Sequence, residues 1–596
     1  MKVIPLILLA LIIANQTLAQ SPIGKIVVTN SKYEQSLDEL INFATVITRQ
    51  EIEQIPASSA IDILNTVAGI NVSSAGGKGT LTSVFLRGSN NSQTLVLVDG
   101  VLAAKTLGGE FSWENLDPDL IERIEIIRGA KATIYGSDAR GVINIITRKA
   151  YKNSIKATYG SFGTTKGVVT AGAKHKNQRG IQATIVKEKS SGFSRTNSKN
   201  TNDFDSDDDS FHNESVNIRA FIKPKNNLEL STVMLKQKIQ AETDTGVGFP
   251  TVPDTSYDKT ESDKSMVSLR LKHDYNDFWG YSLHIAETKQ ENINLPASTF
   301  TDTNAERYQG NFSNYFRFKN QKIIIGKDKI QSKELEKDDS QLVEDAYFVN
   351  WFGKWSKLNY EFGFRKTKHN IFGDYGTEQY GLAYSFTDKL KIKSTLGHSK
   401  KVPSNIELNG SVYVTANKDL QPETSETRDL SLVFNSKLHN HEISYYQTKI
   451  LDPITWISST SSYYNGQATD FNGLDLASSL IFDDTLLKAS YTWLDYQDED
   501  KEDVARRPNK FNFNLVHKIK FNQKFGLNLL AVGKARDGNK ELDEFVVVNT
   551  NYKYKVNKSW SLELKIENLN DADYQTVYGY NTAQRSYYLT AEYQIK

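Results

Sequence analysis

The sequence predicts an all-β transmembrane barrel of about 22 antiparallel strands with a small mixed α/β domain lodged in its lumen. Three observations carry this. Residues 3–14 form a short apolar run behind Met1-Lys2, followed by Asn-Gln-Thr-Leu-Ala19. Residues 34–148 hold short apolar runs cut by glycines. From about Lys149 to the end, apolar and polar residues alternate with period two, the pattern of a strand with one face in lipid and one in water.

The N-terminal run reads as residues 1–19 of a signal peptide, cleaved after Ala19. It is too short to span a bilayer, which needs about 20 apolar residues. A buried N-terminal helix is the alternative. No other stretch suits a transmembrane helix, so an exported chain of this kind is either soluble or a barrel. Residues 20–33 form a small, polar segment with one apolar island, Lys25-Ile26-Val27-Val28-Thr29. Near a new N-terminus such an island can pair with a partner's sheet edge.

The domain at 34–148 shows its elements one by one. Thr48-Arg-Gln-Glu51 is a capping box opening a short helix. Ser58 or Ser59 caps a second, lined by Ile61, Leu64 and Val67 and stopped at Gly69. Strands are expected at Val84–Arg87, Thr94–Val98, Ile124–Arg128 and Val142–Thr147. Asp99-Gly100 signals a hairpin, and Asp117-Pro118 opens a further helical turn.

Beyond it, Phe511-Asn-Phe-Asn-Leu-Val-His517 puts Phe, Phe, Leu and His on one face. Ser561-Leu-Glu-Leu-Lys-Ile-Glu567 puts Leu, Leu and Ile opposite Glu, Lys and Glu. About 450 residues at roughly 20 per strand and connection give about 22 strands, a width whose lumen needs a plug. A soluble β-solenoid or a row of sandwiches would show the same alternation. Composition agrees with many half-exposed strands: 38% of residues are apolar, yet there are 29 Tyr and 28 Phe. Lys+Arg and Asp+Glu, 72 and 71, nearly cancel, which offers nothing to a nucleic acid. With no cysteine, disulfides, thiolate metal sites and Cys nucleophiles are excluded.

Enzyme motifs fail. Gly76-Gly-Lys-Gly-Thr80 resembles a phosphate loop but lacks the Gly-Lys-Ser/Thr order. His439-Asn-His441 has no third ligand nearby and reads as a polar turn. The chain contains neither Gly-x-Ser-x-Gly nor His-Glu-x-x-His. No catalytic residues or cofactor are expected. The strongest chemical feature is Asp203-Phe-Asp-Ser-Asp207-Asp-Asp209-Ser210. Carboxylates at every second position of an extended loop can wrap Ca²⁺; a solvated acidic loop looks the same.

Several segments, in order and spacing, resemble the plug of TonB-dependent outer-membrane receptors. They are Thr48-Arg-Gln-Glu-Ile, Leu64-Asn-Thr-Val-Ala-Gly-Ile-Asn-Val72, Phe85-Leu-Arg-Gly88, Val96-Leu-Val-Asp-Gly-Val101, Ile124-Glu-Ile-Ile-Arg-Gly129 and Ala132-Thr-Ile-Tyr-Gly-Ser-Asp138 with Gly141-Val-Ile-Asn-Ile-Ile-Thr147. Asn417-Lys-Asp-Leu-Gln-Pro-Glu423 and Asn465-Gly-Gln-Ala with Phe471-Asn-Gly473 are similar to barrel motifs of that family. Within it, Gly76 to Ser92, Lys565-Ile-Glu-Asn-Leu569 and Asp573 to Arg585 look most like the cobalamin receptors. The resemblance spans 25–596 and thins between 190 and 390.

The resemblance implies a Gram-negative outer-membrane importer. Lys25–Thr29 would be the TonB box, engaged by TonB and its ExbB–ExbD energising complex. The ligand would be cobalamin or another corrinoid, touched by Lys78, Thr80, Leu81 and Ser83 in one plug loop and by Ala103, Ala104 and Thr106 in another. Calcium in outer loops would be held by Asp207 and Asp209, with Asp244, Asp254 and Asp258 of the next loop. A surface lipoprotein could assist capture. Ala75, Lys78, Ala103 and Ala104 depart from the cobalamin receptors, which leaves a ferric siderophore, haem or another metal chelate as the alternative cargo.

Overall fold

The structure is a computed structural model. It describes residues 27–28, 35–103, 109–129, 131–136, 140–149, 151–200, 206–242, 259–295, 303–334, 340–411, 414–457, 459–497 and 508–595. The signal-peptide segment lies outside the described residues.

Twenty-two antiparallel strands, from Asn153–Gly160 to Ser586–Ile595, form a closed barrel, with these first and last strands paired. Every strand follows its neighbour in sequence apart from two small hairpins carried in loops, Ile454–Ile457 with Ser462–Asn465 and Ala535–Asp537 with Lys540–Leu542. The period-two pattern explains the pairing. In Lys510–Lys520, Lys510, Asn512 and Asn514 are buried in the lumen, and the Phe511, Phe513 and Leu515 positions alternate outward. Leu562, Leu564 and Leu589 stand exposed on the outer wall, where lipid replaces water as their surroundings.

The two rims differ. On one, consecutive strands are joined by turns of a few residues, such as 226–227, 319–320 and 483–484. Trp279, Trp355, Phe386 and Trp560 ring this end. The other rim carries the long connections, 191–210, 402–422, 452–468 and 568–585 among them. Short turns face the periplasm and long loops the exterior in barrels of this kind, so the long-loop rim is the outer mouth.

The plug fills the lumen. Its centre is a five-stranded sheet in the order β3–β8–β9–β6–β7, where β3 is Ala44–Thr48, β6 Leu95–Val98, β7 Val101–Leu102, β8 Ile121–Arg128 and β9 Gly141–Thr147. β6 and β9 run parallel, and the remaining pairs are antiparallel. A separate hairpin pairs β4 (Ile70–Ser74) with β5 (Thr82–Leu86).

The local signals work as their chemistry requires. The Thr48 hydroxyl accepts from the Glu51 N–H, and the Glu51 carboxylate accepts from the Thr48 N–H at 2.7 Å. Ser59, not Ser58, caps the helix Ala60–Asn65; Ser58 instead donates to Glu567 of the barrel. That helix ends at Asn65 rather than running up to Gly69: the Thr66 and Val67 N–H groups bond only three residues back, to Ile63 and Leu64, in a tighter last turn. Asp99 and Gly100, at φ 52° and 80°, make the tight β6–β7 turn. His439 and His441 lie at the start of strand His439–Leu451 rather than in a turn.

Candidate functional site

The apex of the β4–β5 hairpin, Ala75–Leu81, points to the outer mouth. Its neighbours establish this. A Cβ on Gly76 would lie 2.5 Å from that of Arg195 in a long outer loop, and Ser74 exchanges hydrogen bonds with Thr576 in another, 3.0 Å each way. Leu81 is the exposed tip, 64% accessible. Lys78 reaches sideways to an ion pair with Glu188 on the barrel wall. Ser83 is half-buried on β5.

Two residues expected to touch ligand are buried instead. Thr80 donates to the Gly77 carbonyl at 2.8 Å and so closes its own turn. Ala103 packs in the plug's apolar core, and its carbonyl accepts from Arg307 at 3.0 Å. In both cases the local backbone makes demands that a free loop would not. Ala104 and Thr106 lie outside the described residues.

Of the metal candidates, Asp207 is exposed on the outer loop, and Asp209 accepts the Arg195 N–H at 2.8 Å. The donor set is hard oxygen, which suits Ca²⁺. Among the described residues no group of three or more His, Cys, Asp or Glu is gathered for a metal. Asp244, Asp254 and Asp258 lie outside the described residues.

Of the N-terminal box, Val27 and Val28 form β1, paired antiparallel with β2 (Gln35–Ser36) through Val27↔Ser36 and Val28↔Gln35. The segment was expected to be free for a partner; it has an intramolecular partner instead, since an unpaired strand edge leaves its N–H and C=O groups open. Lys25, Ile26 and Thr29 lie outside the described residues.

The plug is tied to the wall by charge. Arg87, at φ 50° where β5 ends, donates Nε to Asp475 at 2.7 Å, Nη2 to Ser444 at 3.0 Å, and Nη1 to Asp429. Its guanidinium lies 4.2 Å from the Tyr446 ring centroid. Burial opposes its charge, but Asp429 and Asp475 outweigh this and hold it above the ordinary arginine range. Arg128 beside it donates to the Ala68 carbonyl and lies over Phe43. Burial pulls Arg128 down to about 10, with Asp475 resisting. Further round, Lys131 meets Glu361 at 2.7 Å, Arg140 meets Glu423, and Lys510 of the wall donates to the Asn65 carbonyl at 2.8 Å.

Reading by motif missed the wall itself. Arg307, Ser332 and Lys401 line an open cavity beneath the outer rim, beside Ser92, Leu95 and Gly109 of the plug. The signal was the odd positions of strand Thr303–Phe318, where Arg307, Gln309 and Asn311 share the lumen face opposite Tyr308 and Phe312.

This architecture is matched along most of the chain. Residues 36–143 match the TonB-dependent receptor plug domain, and residues 150–569 the TonB-dependent receptor-like β-barrel. The chain belongs to the TonB-dependent receptors. Such a receptor resides in the Gram-negative outer membrane and couples to TonB. The receptor is 27% identical over 595 residues to the vitamin B12 transporter BtuB of Photobacterium profundum, covering 96% of this chain and 95% of that one. It is 25% identical over 607 residues to BtuB of Vibrio cholerae, covering 96% of each. Its fold is similar to that of a ferric enterobactin receptor (PfeA) mutant of Pseudomonas aeruginosa, with TM-score 0.79, 16% identity and 93% and 98% coverage of the two chains. It is similar to the same degree of identity and coverage to the siderophore receptor PirA of Acinetobacter baumannii, with TM-score 0.78.

Proposed function

We propose that the receptor imports cobalamin or a related corrinoid across the outer membrane, driven by TonB with its ExbB–ExbD complex. The observation that carries this is the alignment with vitamin B12 transporters over 96% of the chain, plug and barrel together. The ligand docks at the outer mouth on Leu81, Lys78 and the surrounding loops, with Ca²⁺ at Asp207 and Asp209 ordering the loop. TonB takes Val27–Val28 as an added strand, displacing β2, and pulls on the chain leading into β3. The plug has to be moved by outside work because a 22-strand barrel left open would leak.

Calorimetric titration with cyanocobalamin, with and without Ca²⁺, tests the cargo. Binding at micromolar ligand or below, tightened by Ca²⁺, is expected. Heat from a ferric siderophore or haem and none from cyanocobalamin overturns the corrinoid reading in favour of a metal chelate. Deleting Ile26–Thr29 tests the drive: uptake should vanish with binding intact, and unchanged uptake refutes the TonB step.

A further inference from the structure

One corner of the short-turn rim carries a row of lysines. Strand Lys510–Lys520 runs down to this corner, Gln523–Val532 runs back up from it, and Phe545–Lys555 runs down beside them. The register sets Lys524 directly opposite Lys518 on one side and Lys553 on the other. The three side chains share one row across neighbouring strands, spaced about 4.8 Å apart at the backbone. Lys520 and Lys555 close the same strands at their turns. Like charges set opposite one another weaken strand pairing, so the row costs the barrel stability. The chain as a whole has a net charge of +1, so the row reflects placement and not a basic composition.

Acids nearby offset part of this charge. Lys518 meets Asp484 at 3.2 Å, in a half-exposed pair that water screens. Lys553 meets Glu592 at 3.8 Å. Glu53 of the plug lies within reach of the charges on Lys524 and Lys553, but Arg49 holds it at 2.8 Å and Arg148 at 3.7 Å. Lys520, Lys524 and Lys555 pair with no carboxylate among the described residues. The row faces inward: Lys524 and Lys553 continue the lumen face of buried Asn528 and Asn551, and Lys553 borders the same cavity as Glu53 and Arg148. Ile519, Phe521, Tyr552 and Val556, in the same strand ends and turns, are exposed apolar and aromatic side chains suited to lipid. Lipid therefore meets the aromatic side of these turns. Lys518, Lys520 and Lys555 are exposed at the periplasmic mouth.

We propose that this corner of the periplasmic mouth is a docking surface for a partner protein that presents a run of Asp and Glu. The inference goes beyond the importer reading and holds whatever the cargo is. An extended acidic segment shows carboxylates on one face at intervals of about 7 Å. Laid across the three strand ends, it meets a row of ammoniums on long, adjustable stems. Each added carboxylate relieves the repulsion between Lys518, Lys524 and Lys553, so the barrel gains where it was weakened. Attraction of this kind speeds encounter and orients the partner, and salt weakens it.

The test uses the full-length receptor in detergent micelles and a fluorescein-labelled oligoglutamate peptide, with oligoglutamine as its uncharged counterpart. No cargo enters the experiment, so its outcome is separate from that of the corrinoid reading. Fluorescence anisotropy should show binding of the acidic peptide alone, weakened about fivefold between about 50 and about 200 mM KCl. The variant Lys518→Gln, Lys524→Gln, Lys553→Gln should bind about tenfold more weakly. It removes repulsion between strands, so its thermal transition should match or exceed the parent's. Removing as much charge from the outward face of the wall, with Lys329→Gln, Lys366→Gln and Lys368→Gln, should leave binding unchanged. Carbodiimide coupling of the bound peptide, mapped by mass spectrometry, should place adducts on Lys518, Lys520, Lys524, Lys553 and Lys555. Binding in phosphatidylglycerol nanodiscs should equal that in phosphatidylcholine nanodiscs. Equal weakening in both variants, or adducts spread over the exposed lysines of the wall, overturns the proposal. Loss of binding in phosphatidylglycerol alone overturns it too, and assigns the patch to membrane lipid.

Discussion

At the residue scale the receptor spends its charged groups on holding the plug. Asp475 is the focal acceptor, fully buried, meeting Arg87 at 2.7 Å with Arg128 at 4.0 Å. Asp475→Ala would take one of the two carboxylates from Arg87 and the neighbouring carboxylate from Arg128, and an uncompensated buried charge costs about 3–5 kcal/mol. The plug's thermal transition should therefore fall by several degrees with the barrel's unmoved; an unchanged plug transition refutes the assignment. Glu114 supplies a pH dependence. Burial raises its pKa to about 7, opposed by Lys264 and aided by Glu110. A carboxyl raised above its unfolded value of about 4.5 binds more protons in the native state, so its stabilising effect is present below pH 4.5 and lost as pH rises to about 7. Plug stability should drop by on the order of 2 kcal/mol between pH 5 and pH 8, and Glu114→Gln should flatten that slope. A slope that survives the substitution assigns the titration to another group.

At the element scale, what was legible follows from what each signal depends on. The Thr48 capping box and the Asp99-Gly100 turn are local, so their residues alone specify them. The period-two runs mark barrel strands because lipid and lumen impose opposite chemistry on alternate residues. The pairing of β1 with β2 was not legible: two residues carry too little pattern to distinguish an internal partner from an external one. Nor were Thr80 and Ala103, whose burial depends on a carbonyl at Gly77 and on Arg307, some 200 residues away. The β1–β2 pair has a measurable consequence. On the proposed TonB step it would compete with TonB for the same strand edge and, at about 1 kcal/mol, weaken TonB binding about fivefold. Replacing Gln35 and Ser36 together with proline removes the N–H groups of β2, and the affinity of a purified TonB C-terminal domain should rise by about that factor. Equal affinities would mean that the pairing is energetically empty.

At the scale of the whole molecule, plug and barrel differ in what each requires of the other. The plug packs Ile124, Ile126 and Ile143 against its own Ile63, Leu64 and Trp113, so it has a core of its own. The barrel is closed by strand pairing from Asn153–Gly160 round to Ser586–Ile595, with no exposed edge left for the plug to cover. Beside apolar residues such as Met266 and Phe348, the barrel contributes charged groups to the interface: Glu361, Glu423, Asp429, Asp475 and Lys510. Removing the plug would return these groups to water, where they are solvated, whereas removing one partner inside the assembled protein strands its mate. Deleting residues 34–148 should therefore still give a heat-stable barrel in the outer membrane, and in a planar bilayer it should conduct as a wide, steadily open pore. The intact receptor should be closed under the same conditions. A deletion chain that fails to assemble would show that the lumen charges need the plug during folding, and would make the ion-paired interface part of barrel assembly as well as of transport.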